Sequence, residues 1–141
     1  MMPFEYFLEK EEVKKCSPDM ELARSLIKDM QDRISKSLML NINTFPKFVF
    51  ENIYDGLRDF CDALLAAAGF KSYSHQASIA YLSKENFNIA IIEELDQLRY
   101  KRNGSKYYGR VILTEDALQI RDFYSKIKGK INKVMQNKRL K

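Results

Sequence analysis

The sequence is poor in the residues that tie small folds together through covalent or metal links. Its 141 residues include two cysteines, Cys16 and Cys61, and one histidine, His75. A structural zinc takes four Cys or His ligands, so that class of site is excluded and no metal is expected. Two cysteines are also too few for a disulfide framework, and a reducing, cytoplasmic setting is expected. Five glycines and three prolines are too few turn residues for a β sandwich. No run reaches about 18 uninterrupted apolar residues, so no membrane-spanning helix is expected. The start, Met1-Met2-Pro3-Phe4-Glu5-Tyr6, has no basic region ahead of an apolar run and does not read as a secretory signal. Neither a Walker A loop nor a dinucleotide fingerprint occurs, so nucleotide hydrolysis has no support and no cofactor is expected.

What the chain does have is helical periodicity. Apolar residues make up 45%, enough for one core, and the length predicts a single domain over residues 1–141. A short helix is predicted from Phe4 to about Lys15. Ser17 or Asp19 then caps a second segment, Met20 to about Leu40, with Leu22, Leu26, Ile27, Met30, Ile34 and Leu38 at helical spacing. The third segment starts near Pro46 and ends at Gly69, residues suited to a first turn and to a C-terminal stop. Its stripe of Phe50, Ile53, Leu57, Phe60, Leu64 and Ala67 is the strongest periodic signal in the chain. A shorter helix is predicted over His75 to Ser83. The next is capped by Asn86 or Asn88 and runs over 88–103, where Gly104-Ser105 weakens it. The last is introduced by Thr114 as N-cap candidate and carries Ile120, Phe123, Ile127, Ile131 and Val134 inward. Arg110-Val111-Ile112-Leu113 is the single candidate strand and is too isolated to form a sheet. The expected fold is all-α: an up-down bundle of four main helices plus short helices.

Charge is distributed unevenly along this chain. Residues 1–98 hold 11 basic and 16 acidic side chains, yet the whole protein carries +5. The basic excess lies in two acid-free stretches. One is Arg99, Lys101, Arg102, Lys106 and Arg110; the other covers residues 126–141. A basic cluster on a mildly acidic body suits an anionic partner, of which nucleic acid is the common case. For the tail, a helix end whose lysines complement the dipole and meet solvent serves equally well.

Winding the 88–103 helix at roughly 100° per residue puts Ile91, Ile92, Leu95 and Leu98 on its inner face. Arg102 falls near the centre of the same face, with Arg99 beside it. A buried guanidinium is costly unless paired. Arg102 therefore meets a carboxylate inside the bundle, or faces a cleft or second subunit where it can hold phosphate. Beyond it, Tyr107 and Tyr108 stand among the basic residues. Stacking faces, hydroxyls and positive charge together suit single-stranded RNA, and half-buried packing explains the tyrosines as well. Asp55, Asp59 and Asp62 share one face of the third segment, and Glu93, Glu94 and Asp96 precede the basic cluster. These acids are expected to be solvated, or one of Asp55 and Asp59 to neutralise Arg99 or Arg102. Cys61, among Phe60, Leu64 and Leu65, reads as inert core.

The run Leu98-Arg99-Tyr100-Lys101-Arg102-Asn103-Gly104-Ser105-Lys106-Tyr107-Tyr108-Gly109 resembles the signature of HEPN domains. These are small helical proteins, many of them ribonucleases of toxin–antitoxin and other defence systems. Their pattern is an Arg, commonly followed by Asn or another polar residue, with a His after four to six intervening residues. Tyr54-Asp55-Gly56-Leu57-Arg58 and the stretch from Gly69 to Leu82 are similar to the middle helices of prokaryotic members. The resemblance implies a homodimer, with Arg102 stabilising a phosphorane, Asn103 orienting, and no metal. Tyr107 stands where the His would fall at the shortest spacing, and with a reference pKa near 10 it is a poor base. His75, the only histidine, lies on another helix and reads as a helix-start or packing residue. Some relatives are modified by a nucleotidyltransferase partner on a tyrosine two residues after the His; that position here is Gly109.

Three functions follow as expectations. The first is a catalytically weak or silent member that binds RNA, a nucleotide or a nucleotidyltransferase partner. Arg99, Lys101, Lys106, Tyr108 and Arg110 would then contact phosphate or base. The second is a metal-independent endoribonuclease with Arg102, Asn103 and Tyr107 at its site. The third is a helical protein-interaction module.

Overall fold

The computed structural model describes residues 1–141. In chain order it contains α1 (Phe4–Glu9), β1 (Val13–Lys15), α2 (Met20–Ser37), α3 (Pro46–Ala68), β2 (Phe70–Ser72), α4 (His75–Ala80), a 3₁₀ turn (Tyr81–Glu85), α5 (Ile89–Tyr108) and α6 (Thr114–Asn137). The chain is thus mostly helical, as its periodicity predicts. No helix is long and apolar enough to cross a membrane.

The central element is α3. Its stripe of threes and fours buries Phe50, Ile53, Leu57, Phe60 and Leu64 almost completely. Gly56 lets α2 approach closely, since a Cβ there would stand 2.6 Å from Ile34 Cγ1. On its other sides α3 meets α6, α4 and α5. Ile120, Phe123, Ile127, Ile131 and Val134 of α6 join the same core.

Helix ends follow local chemistry. Asp19 caps α2 by accepting from the Leu22 N–H at 2.9 Å, and Asn88 caps α5 through the Ile91 N–H at 2.9 Å. Gly69 ends α3 in the left-handed region, with φ 85°. Thr114 is the first helical residue of α6 and not its cap; the Asp116 carboxylate instead accepts from the Leu113 N–H at 2.8 Å.

Three local expectations are corrected. The first helix stops at Glu9, and residues 13–15 leave it to pair antiparallel with β2, Val13 opposite Ser72 and Lys15 opposite Phe70. The ladder is anchored by α3's exit: Cys16 N–H donates to Gly69 O at 2.9 Å. Helix α5 does not stop at Gly104-Ser105. It runs on to Tyr108, because Gly104 and Ser105 are themselves buried and the left-handed Gly109 ends the helix instead. Residues 110–113 are an extended link between helices and pair with no strand.

The basic tail turns out to be partly paired within the molecule. Lys126 donates to Glu94 at 2.9 Å, Lys138 meets Glu85 at 2.8 Å, and Lys130 donates to Asn86 O at 3.2 Å.

Candidate functional site

Arg102 sits on the seam between α5 and α3. Glu51 and Asp55, four apart on α3, face it together. Its Nη1 donates to Glu51 Oε2 at 2.7 Å and its Nη2 to Asp55 Oδ2 at 3.4 Å. The side chain is 13% exposed, so this pair carries more weight than a surface ion pair. The Nε group is buried without an acceptor.

The charges continue in alternation along α3. Arg33 of α2 lies 3.1 Å from Asp59, off the hydrogen-bond axis, and 4.0 Å from Asp55. Arg58 stands 3.7 Å from Asp62, which also accepts from Ser78 Oγ at 3.0 Å. Between these groups opens a polar cleft of about 180 Å³, lined also by Tyr54, His75, Asn103, Lys106 and Tyr107. The Tyr54 hydroxyl is buried there with no partner.

Burial dominates the proton affinities in the cleft. It lifts the Asp59 carboxyl from its ordinary 3.8 to about 6, against the opposing pull of Arg33. It raises Asp62 as well, although Ser78 and Arg58 act the other way. His75 moves down from 6.5 to about 4, first through desolvation and then through the positive charges of Arg58 and Arg99. Its imidazole is therefore neutral at pH 7. No group of three or more His, Cys, Asp or Glu side chains is arranged to hold a metal ion.

A second opening lies at the distal end of α5. Gly109, at φ 67°, reverses the chain, and the Arg110 N–H donates back to Gly104 O at 3.1 Å. That turn lays the Arg110 guanidinium 5.5 Å above the Tyr100 ring, while Lys106 lies 5.5 Å above Tyr107. Tyr107 is 63% and Tyr108 79% exposed. Arg99, Asn103 and these tyrosines line a groove of about 430 Å³. Neither Lys106 nor Arg110 pairs with a carboxylate.

No family model, curated protein or solved structure matches the chain. What the site can do therefore rests on its own geometry. Arg102, Asn103 and Tyr107 come together on one cleft wall, joined by His75 from the start of α4. The basic residues divide. Lys106, Tyr108 and Arg110 remain open, whereas Arg99 donates to Asp96 at 2.7 Å and Lys101 to Asp116 at 2.7 Å. Asp55 is one of the two carboxylates that meet Arg102, in line with one of the sequence expectations, beside the closer Glu51; Arg99 is taken by Asp96. Sequence reading missed Glu51, Arg33 and Tyr54. The spacing of Glu51 four before Asp55 was the available signal for the first; Tyr54 stood in the run that carries the resemblance but without a site role, and nothing local marked Arg33.

Proposed function

We propose that the protein is a catalytically weak or silent HEPN-like member that binds single-stranded RNA through the distal end of α5. The observation that carries this reading is the exposed set Tyr107, Tyr108, Lys106 and Arg110, aromatic faces and unpaired cations side by side. Such sets stack bases and neutralise phosphates. The weak or silent part rests on Arg102. Both its terminal nitrogens already donate to carboxylates, which leaves little positive field for a phosphorane. In this reading the scaffold is an up-down bundle of α2, α3, α5 and α6. The protein acts as a homodimer, and a nucleotidyltransferase partner, as in toxin–antitoxin-like systems, is the protein it would meet.

One observation favours the endoribonuclease reading: neutral His75 shares the cleft of Arg102, Asn103 and Tyr107. A pKa of about 4 makes that imidazole a weak base, so the binding reading is preferred.

The test is incubation of labelled single-stranded RNA with the purified protein in chelator over hours, with Arg102→Ala alongside. Salt-sensitive binding without cleavage is expected. The slope of log affinity on log salt should drop by about 0.7 for each of Lys106→Gln and Arg110→Gln. Products with 2′,3′-cyclic phosphate ends that vanish in Arg102→Ala would establish the ribonuclease instead. Neither binding nor cleavage would leave the helical interaction module.

A further inference from the structure

A further cavity, larger than the two just described, lies away from α5. About 540 Å³ opens between the first turns of α2, the end of α3 and the β2–α4 segment. Leu22 and Leu26 line it together with Tyr73, which is 62% exposed. The inner end is polar, with Arg58, Asp62 and His75. The β1–β2 ladder creates this space, since it holds Cys16 against Gly69, where a Cβ would stand 2.8 Å from Cys16 O.

These same three inner residues, Arg58, Asp62 and His75, also line the Arg102 cleft. That cleft in turn shares Asn103 and Tyr107 with the α5 groove. Shared side chains therefore link the three cavities in series. Their sizes differ in a telling way. The two outer ones, about 540 and 430 Å³, fall in the range of roughly 300–1,000 Å³ that takes a small organic group. The middle one, about 180 Å³, is too small for a nucleobase beside its sugar. Both outer cavities carry an exposed tyrosine with a cation on its ring: Tyr107 under Lys106, and Tyr73 with Lys71 at 5.6 Å. The middle one carries Arg33, Arg58, Arg102 and Lys106, of which Lys106 alone meets no carboxylate.

We propose that the three cavities form one furrow for a single RNA strand, with a base stacked at each end and the sugar–phosphate backbone crossing the Arg102 cleft. This rests on the RNA-binding reading and extends it by a second base site, the Leu22–Tyr73 pocket. In the furrow, Tyr73 stacks one base against the apolar side of α2. Unpaired Lys71 and the outer nitrogens of Arg58 face the neighbouring phosphates.

Fluorescence anisotropy with labelled oligouridylates of roughly two to ten nucleotides tests this. Affinity should rise in two steps with length. Tyr73→Ala should weaken the longer oligomers at least about fivefold and leave the shortest unchanged. Tyr107→Ala with Tyr108→Ala should weaken all lengths. Tyr73 is exposed, so its removal leaves the fold intact, and Leu22→Glu serves as a second probe at an exposed position. Loss on the tyrosines of α5 with no effect of either Tyr73→Ala or Leu22→Glu would overturn the furrow and leave the α5 groove standing. Absence of binding by the unaltered protein at every length would overturn both, and capture of an acidic peptide in place of RNA would do the same.

Discussion

Helices α3 and α5 are of similar length and lie against each other, yet they use their side chains in opposite ways. Along α3 the apolar residues face inward for its whole length, from Val49 to Leu65. Along α5 burial is confined to Ile92, Leu95 and Leu98, then to Gly104 and Ser105. Arg102 occupies the core position between them, and α3 itself supplies the carboxylates that make this tolerable. Past that point α5 exposes its aromatic residues. One helix holds the molecule together. The other is held by it, and its last turn, Lys106 to Tyr108, remains open for binding.

The largest test of that contrast is Phe50→Ala on α3. Phe50 is fully buried, and removing such a ring costs about 3–5 kcal/mol, a large share of the roughly 5–15 kcal/mol a domain has. Tyr108→Ala on α5 should stay within about 0.5 kcal/mol of the unaltered protein. Urea denaturation reads both. Similar midpoint shifts for the two would erase the contrast.

Arg102→Met probes the seam between the helices. It strands Glu51 and leaves Asp55 with only the distant Arg33, the two carboxylates being about a fifth to a quarter exposed, and is expected to cost about 1–3 kcal/mol. Adding Glu51→Gln should recover part of that loss, because the stranded charge goes with it. A double-mutant cycle with no coupling would mean that the pair contributes nothing to stability.

The cleft is also where pH separates the two helices' neighbourhoods. For His75, depressed from 6.5 to about 4, the unfolded chain binds the proton more tightly. Its contribution is present above pH 6.5 and is lost as pH falls towards 4. For Asp59, raised from 3.8 to about 6, the sign is reversed: stability falls as pH rises across 3.8 to 6. The two slopes oppose each other in the unaltered protein. Relative to it, His75→Gln should gain melting temperature as pH drops from 6.5 to 4, and Asp59→Asn should gain as pH rises from 4 to 6. Thermal melts at several pH values check both signs.

The same contrast explains what was legible in the sequence. A periodic stripe as long as that of α3 has one way to be buried, so its limits at Pro46 and Gly69 could be read directly. Asp19 and Asn88 were legible because caps are local. The β1–β2 ladder was not, since Val13-Lys14-Lys15 pairs with residues more than fifty positions away. Gly104-Ser105 misled because helix propensity is a weak prior beside tertiary contact. Arg102 was found as an anomaly on an apolar face, but its partners lie on another helix, and the meeting of His75 with it depends on how α4 is docked. Periodicity locates an exception; only packing shows what surrounds it.

The same substitution made on both helices tests the contrast at the level of a single methyl group. Gly56→Ala on α3 gains helix propensity of up to about 1 kcal/mol, but its Cβ would meet Ile34 Cγ1 at 2.6 Å. Ile34 is buried and has nowhere to go, so overpacking of about 1–3 kcal/mol should prevail and the protein should lose stability. Gly104→Ala on α5 makes the same gain, and its nearest neighbour, Arg110 Cδ at 2.8 Å, belongs to a flexible surface side chain. Arg110 can swing aside, giving up the Tyr100 contact, an exposed cation–π interaction of about 0.5–1 kcal/mol. The two terms nearly cancel, so stability should change by less than about 0.5 kcal/mol. RNA affinity, however, should fall severalfold as Arg110 leaves the groove. Unfolding and binding measured on the same preparation separate the two. A Gly104→Ala protein with unchanged RNA affinity would show that Arg110 faces solvent rather than phosphate.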